Sequence, residues 1–136
     1  MAFRRPIISD RSELARLMID AYTGTIDYDG ETVEDALKEV DGYFAGKSGL
    51  PLLAASWICL QESEMAGALL VSIWQDAPLI AYVMTAAAVK SQGLASAMLA
   101  RSLADLTVQG YREVVAFITE GNLPSEALFR RAGFVS

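Results

Sequence analysis

One stretch restricts the fold of this chain more than any other: Tyr82–Ser102, YVMTAAAVKSQGLASAMLARS, where an apolar strand pattern breaks into a small-residue turn and re-emerges as a helix. A strand feeding a helix through such a turn is the building unit of α/β folds. Within the turn, Lys90–Ala95 reads KSQGLA, a cation followed by polar and small residues, with Gly93 and Ala95 two apart at the helix start. Backbone N–H groups are unpaired at a helix N-terminus and the helix dipole favours negative charge there, so this turn can seat a phosphate without side-chain obstruction. A glycine placed only for its backbone freedom would read the same way.

The rest of the chain supplies elements around that unit. Arg4–Ile8 reads as a short edge strand, and Asp10 with Glu13 starts a helix reaching about Tyr22, its apolar face formed by Leu14, Leu17, Met18 and Ala21. Thr32 and Asp35 cap a second helix carrying Ala36, Leu37, Val40, Tyr43 and Phe44 on one face. Two apolar runs, Leu52–Leu60 and Met65–Trp74, flank the polar QESE and predict an antiparallel hairpin. Leu79–Thr85 is the strand that enters the turn, and the helix leaving it runs from about Gln92 to Val108. Glu113–Thr119 is almost continuously apolar, which predicts a strand buried on both faces. A last helix has Pro124 in its first turn and Gly133 at its exit. The order βααβββαβα predicts one α/β domain over residues 1–136, with a mixed sheet and helices on both sides.

The segment Asn122–Phe134, NLPSEALFRRAGF, adds a second motif. Together the two motifs resemble the GCN5-related N-acetyltransferase (GNAT) superfamily, whose phosphate loop runs Gln or Arg, two residues, Gly, one residue, then Gly or Ala. Lys90, Ser91, Gln92, Gly93, Leu94 and Ala95 match that loop except at Lys90, which keeps a positive charge. Asn122, Leu128, Gly133 and Phe134 match the later motif, whereas Phe129 stands where the family commonly has tyrosine. The resemblance is strong over Met65–Phe134 and weaker before it. It implies acetyl-CoA as co-substrate and transfer of its acetyl group to the amine of a small molecule or peptide.

By the same resemblance, backbone groups near Met84 and Thr85 would hold the pantetheine arm, one N–H polarising the thioester carbonyl, and Ser91–Ser96 would carry the pyrophosphate. Asn122 is either a cofactor contact or a helix N-cap, or both. The tyrosine hydroxyl that protonates the departing thiolate is missing at Phe129, and water is its replacement. Glu120, beside the cofactor motif, is the candidate general base, against the alternative of a solvated loop residue. Asp27, Tyr28, Asp29 and Glu31 fall in the loop that lines the acceptor side in the family, or form a solvated turn. Tyr82 faces either site or core, and alternation does not settle which. The chain ends at Ser136, where the family continues into further strands, so the sheet is short, the chain is truncated, or another chain completes the edge.

Composition narrows the chemistry. The sequence holds no histidine, which removes the usual acid-base residue, the Ser-His and Cys-His nucleophile pairs and an ordinary zinc site. The net charge of −6 argues against nucleic acid and suits a cationic substrate. A lone cysteine, Cys59, sits among Trp57, Ile58 and Leu60 and reads as core. With no signal-like or membrane-spanning run, a cytoplasmic location is the expectation, and the 53% hydrophobic content is compatible with a homodimer. Two readings compete with catalysis: a non-catalytic acyl-CoA-binding or regulatory domain, and a fragment that needs a partner.

Overall fold

The computed structural model describes residues 1–25, 28–118 and 122–135. Strand β1 (Ala2–Arg4) precedes helices α1 (Arg11–Tyr22) and α2 (Val33–Phe44). The first strand lies earlier than Arg4–Ile8 because the chain doubles back on itself. The Arg4 guanidinium donates to both Asp10 carboxylate oxygens at 2.9 and 2.8 Å, and Asp10 also accepts the Ile7 N–H at 2.8 Å. Pro6, without an N–H, could not have continued the ladder. At α2 the expected capping box forms: Thr32 Oγ1 accepts the Asp35 N–H at 3.2 Å, and the Asp35 carboxylate accepts the Thr32 N–H at 2.9 Å.

The remaining strands are β2 (Leu50–Pro51), β3 (Trp57–Gln61), β4 (Glu64–Trp74), β5 (Ala77–Thr85) and β6 (Val115–Ala116). They pair in the order β1-β3-β4-β5-β6, with β2 also on β4, and only β5–β6 is parallel. The expected single strand Leu52–Leu60 is interrupted by a short turn of helix at Leu53–Ala55. Ser56 explains the break. Its hydroxyl donates to the Leu52 carbonyl at 2.8 Å and accepts the Val71 N–H at 2.9 Å, while the buried Tyr43 hydroxyl donates to the Val71 carbonyl. The Leu52 N–H keeps a backbone bond to β4 here, donating to the Val71 carbonyl at 2.8 Å, while the two side chains satisfy the neighbouring groups.

Helices α3 (Leu94–Val108) and α4 (Leu123–Arg131) complete the chain. Alternation along β4 divides the core: Ala68 and Leu70 face α1 and α2, whereas Leu69 and Val71 face the α3 side with Met98, Leu99, Leu128 and Phe129. The mixed sheet with helices on both faces is the α/β architecture the sequence predicts. Asp105 on α3 ties this layer to the N-terminus, accepting from Arg5 at 2.8 Å and from the Trp57 indole N–H at 2.9 Å, with the Arg5 guanidinium 3.7 Å from the Trp57 ring centre. Cys59 is buried, as its neighbours predict.

The sixth strand departs from expectation. Only Val115–Ala116 pair, and Phe117 is 75% exposed, so residues 113–118 do not form the strand buried on both faces expected for Glu113–Thr119, whose last residue lies outside the described residues. The reason is its place at the sheet edge: among the described residues no strand covers its outer side. Among the described residues, no helix is long and apolar enough to cross a membrane.

Gly49, at the entry to β2, has φ +97°, and a Cβ there would lie 2.0 Å from the Ile73 carbonyl oxygen of β4. Gly49→Ala should therefore lower stability by more than about 2 kcal/mol in urea unfolding, from backbone strain and overpacking together. An unchanged midpoint would show that this close approach is not needed.

Candidate active site

The central feature is a bulge in β5. Leu70 pairs with Tyr82 and Val71 with Ile80, leaving Ala81 as an extra residue. The parallel ladder to β6 covers only Leu79 and Ile80, although β5 runs on to Thr85. Beyond the bulge the two strands are unpaired, and a cavity of about 960 Å³ opens, lined by residues of α1, α2, β5, α3 and α4.

The N-terminus of α3 forms one wall. Ser91 (φ +66°) and Gly93 (φ +79°) are both left-handed, and Gly93 is the N-cap residue, so no side chain caps the helix. The first intrahelical bond is Ala97 N–H to Gly93 O at 3.0 Å. The N–H groups of Leu94, Ala95 and Ser96 precede it and are left without helical partners. Ser91, Gly93, Leu94, Ala95 and Ser96 all line the cavity, and a Cβ on Gly93 would meet nothing within 4 Å. Uncapped donors, the positive end of a helix dipole and open space are what a phosphate group requires.

The loop ahead of α3 is anchored on α1. The Ala87 N–H donates to Asp20 Oδ2 at 2.8 Å, and the Lys90 ammonium donates to the Ala21 carbonyl near the end of α1. Lys90 also lines the cavity, whereas Gln92 does not. Thr85 lines it too. Met84 is 1% exposed, with its side chain in the core facing α1 and α2, which leaves only its backbone as a candidate contact.

The α4 side is built from Asn122, whose side chain accepts the Ser125 N–H at 3.3 Å as an N-cap, and from Pro124, Leu128 and Phe129. Asn122 lines the cavity while capping, so the two readings of it are compatible. Phe129 is 6% exposed and packs edge-to-face on Phe134, ring centres 5.0 Å apart. Glu120 and Asp27 lie outside the described residues.

The opposite end is acidic and phenolic. Tyr22, Tyr28, Glu31, Asp35, Lys38, Glu39 and Tyr82 meet there. The bulge settles the orientation of Tyr82: Ile80 and Val83 pack toward α3, while Tyr82 and Met84 pack toward α1 and α2. The Tyr82 hydroxyl donates to Glu39 Oε2 at 2.7 Å, and burial first, then the Glu39 carboxylate, push its pKa above the ordinary phenol value. Sequence reasoning missed Glu39. The available signal was Asp35 and Glu39 at i, i+4 on α2, a like-charge pair that costs a helix about 0.2–0.5 kcal/mol.

Comparison with known proteins decides the family, because the acetyltransferase (GNAT) domain model matches residues 1–135. The chain belongs to the GNAT acetyltransferase family. A comparison with curated proteins returned no match. Among solved structures, the chain is similar to a GNAT-family acetyltransferase from Brucella melitensis in complex with acetyl-CoA, with TM-score 0.75, 18% identity, and coverage of 99% of this chain and 82% of that one. It is also similar to a ribosomal-protein-alanine N-acetyltransferase from Brucella melitensis, with TM-score 0.74, 17% identity and coverage of 99% and 85%. A third is an aminoglycoside 6'-N-acetyltransferase from Acinetobacter haemolyticus, with TM-score 0.72, 14% identity and coverage of 100% and 92%. At these identities the likeness is one of fold, and the GNAT fold is the one described above.

In this GNAT domain the buried ring of Phe129 holds α4 against the α3 side of the core. Phe129→Ala should lower stability by about 3 kcal/mol in denaturant unfolding, the usual cost of emptying a core aromatic site. A loss below about 1 kcal/mol would show that the ring is not a packing element.

Proposed function

We propose that this GNAT domain transfers the acetyl group of acetyl-CoA to an amine by direct attack, without a covalent enzyme intermediate. The observation that carries the reading is the uncapped N-terminus of α3 opening onto the same cavity as the gap between β5 and β6. Acetyl-CoA is the co-substrate, and when bound it supplies an activated thioester. The N–H groups of Leu94, Ala95 and Ser96 hold its pyrophosphate, with Ser91, Gly93 and Lys90 beside them. Backbone groups of β5 near Met84 and Thr85, beyond the paired segment, hold the pantetheine arm and offer an N–H to the thioester oxygen. A preorganised backbone donor of this kind is a large term in acyl transfer, which makes the absence of histidine tolerable. Asn122 and Phe129 border the arm from α4.

The acceptor enters from the acidic end, where carboxylates and phenols favour a cation. A small-molecule or peptide amine fits this end. One observation favours a second reading, a non-catalytic acyl-CoA-binding domain: Phe129 has no hydroxyl to protonate a departing thiolate. Thiol release with any member of a broad amine panel would remove that reading.

Calorimetric titration with acetyl-CoA and with CoA tests the proposal. Saturable binding is expected, and Gly93→Glu should weaken it by at least about tenfold, because a side chain and a negative charge would enter the phosphate seat. Unchanged affinity in that variant would refute the placement of the pyrophosphate, and no binding by the folded wild-type chain would refute the function.

A further inference from the structure

The cavity carries three carboxylates at its acidic end, and the structure distinguishes them. Glu31 is engaged within its own loop, accepting the Asp29 N–H at 2.8 Å through Oε2. Asp35 is engaged in the α2 capping box, accepting the Thr32 N–H at 2.9 Å, and that bond holds its pKa below the ordinary range. Glu39 alone is held by a side chain from the sheet, the Tyr82 hydroxyl at 2.7 Å. Among the described residues, Glu39 forms no ion pair and accepts no other hydrogen bond, even though Lys38 lines the same cavity. One of its oxygens is thereby fixed in place and the other is left for a ligand.

Tyr82 also sits where the chemistry is expected. It is the first residue after the bulge at Ala81 and lies two residues beyond the last β5 residue paired with β6, at the start of the open cleft. Its ring packs at 6.3 Å, edge-to-face, on the buried Tyr43, which fixes its direction from behind. A phenol whose pKa is raised stays protonated and keeps donating, so it orients Glu39 and does not compete with it for the proton.

From this geometry we propose that Glu39, positioned by Tyr82, is the group that seats the acceptor ammonium and takes its proton. The inference rests on the acetyl-transfer reading above. The ammonium gives one proton to the Glu39 carboxylate, directly or through one water. The freed nitrogen lone pair then forms the C–N bond to the acetyl carbonyl carbon as the C–S bond breaks. The second nitrogen proton ends on the departing sulfur by way of solvent, giving amide and CoA thiol, and Glu39 returns its proton to water. Glu39 is a catalytic residue in this account and Tyr82 a positioning residue.

The test uses the full chain with acetyl-CoA and a panel of primary amines: alkylamines, linear diamines, a lysine peptide and an aminoglycoside. Thiol release is followed for the best acceptor. Glu39→Gln should lower kcat/KM by about 100-fold or more, the usual scale for losing a general base, with Glu39→Asp retaining part of the rate. Acetyl-CoA affinity by calorimetry should stay that of the wild type, showing that fold and cofactor seat are intact. Tyr82→Phe should lower kcat/KM for the amine by less than Glu39→Gln does, partly through a higher amine KM, with acetyl-CoA affinity unchanged. An effect confined to the amine is one a purely structural loss would not give, and an unchanged kcat/KM would remove the positioning role of Tyr82. If wild type turns over and Glu39→Gln stays within about threefold of it, this inference falls while the acetyl-transfer reading stands. If wild type binds acetyl-CoA and acetylates no amine, both fall.

Discussion

The single extra residue at Ala81 is the constraint on which the candidate site depends. A regular β5 would keep pairing with β6 and would turn Tyr82 to the same face as Ile80. The bulge does the opposite on both counts: pairing with β6 stops at Ile80, and Tyr82 is delivered to the α1–α2 face beside Glu39. Bulges bend a strand and re-aim its side chains, and here both effects serve one cavity. The opening of a cleft and the placement of the Tyr82 phenol beside Glu39 are therefore one structural event.

Helix α3 supplies the complementary half. Its N-terminus presents unpaired N–H groups and a glycine with no side chain in the way, while α2 presents carboxylates at the other end of the cavity. The cavity is thus polarised, suited to an anion at one end and a cation at the other. The two ends are joined mechanically as well. Lys90 and the Ala87 N–H are bonded to Ala21 and Asp20 of α1, so the loop that leads into α3 is braced by a helix that lines the same cavity. A substrate pair of opposite charge matches that layout, and the overall charge of −6 adds a favourable field for the cation.

The parts of this arrangement governed by short-range rules were legible in the sequence. The capping box at Thr32 and Asp35, the strand–turn–helix around Gly93, the Asn122 cap and the β3–β4 hairpin around its polar QESE turn all follow from patterns a few residues long. Three features were not. The bulge has no local signature, since YVMT reads as an ordinary strand whether or not Ala81 is accommodated. The edge position of β6 depends on what else pairs with it, so its apolar run predicted burial that Phe117 does not have. Glu39 is one acidic residue on a helix whose apolar stripe faces elsewhere, and only the re-aimed Tyr82 gives it a partner in the cavity. Ser56 is similar: its hydroxyl breaks a strand because Tyr43 and Val71, remote in sequence, converge on it.

The central claim is that the cofactor's phosphates sit on the α3 N-terminus, and it is tested most directly by amide NMR shifts of the labelled chain during titration with CoA. The account predicts that the largest shifts fall on Ser91–Ser96, with downfield movement at Leu94, Ala95 and Ser96 as their unpaired N–H groups gain an anionic acceptor. Shifts centred on another surface, with these amides unmoved at saturation, would contradict it.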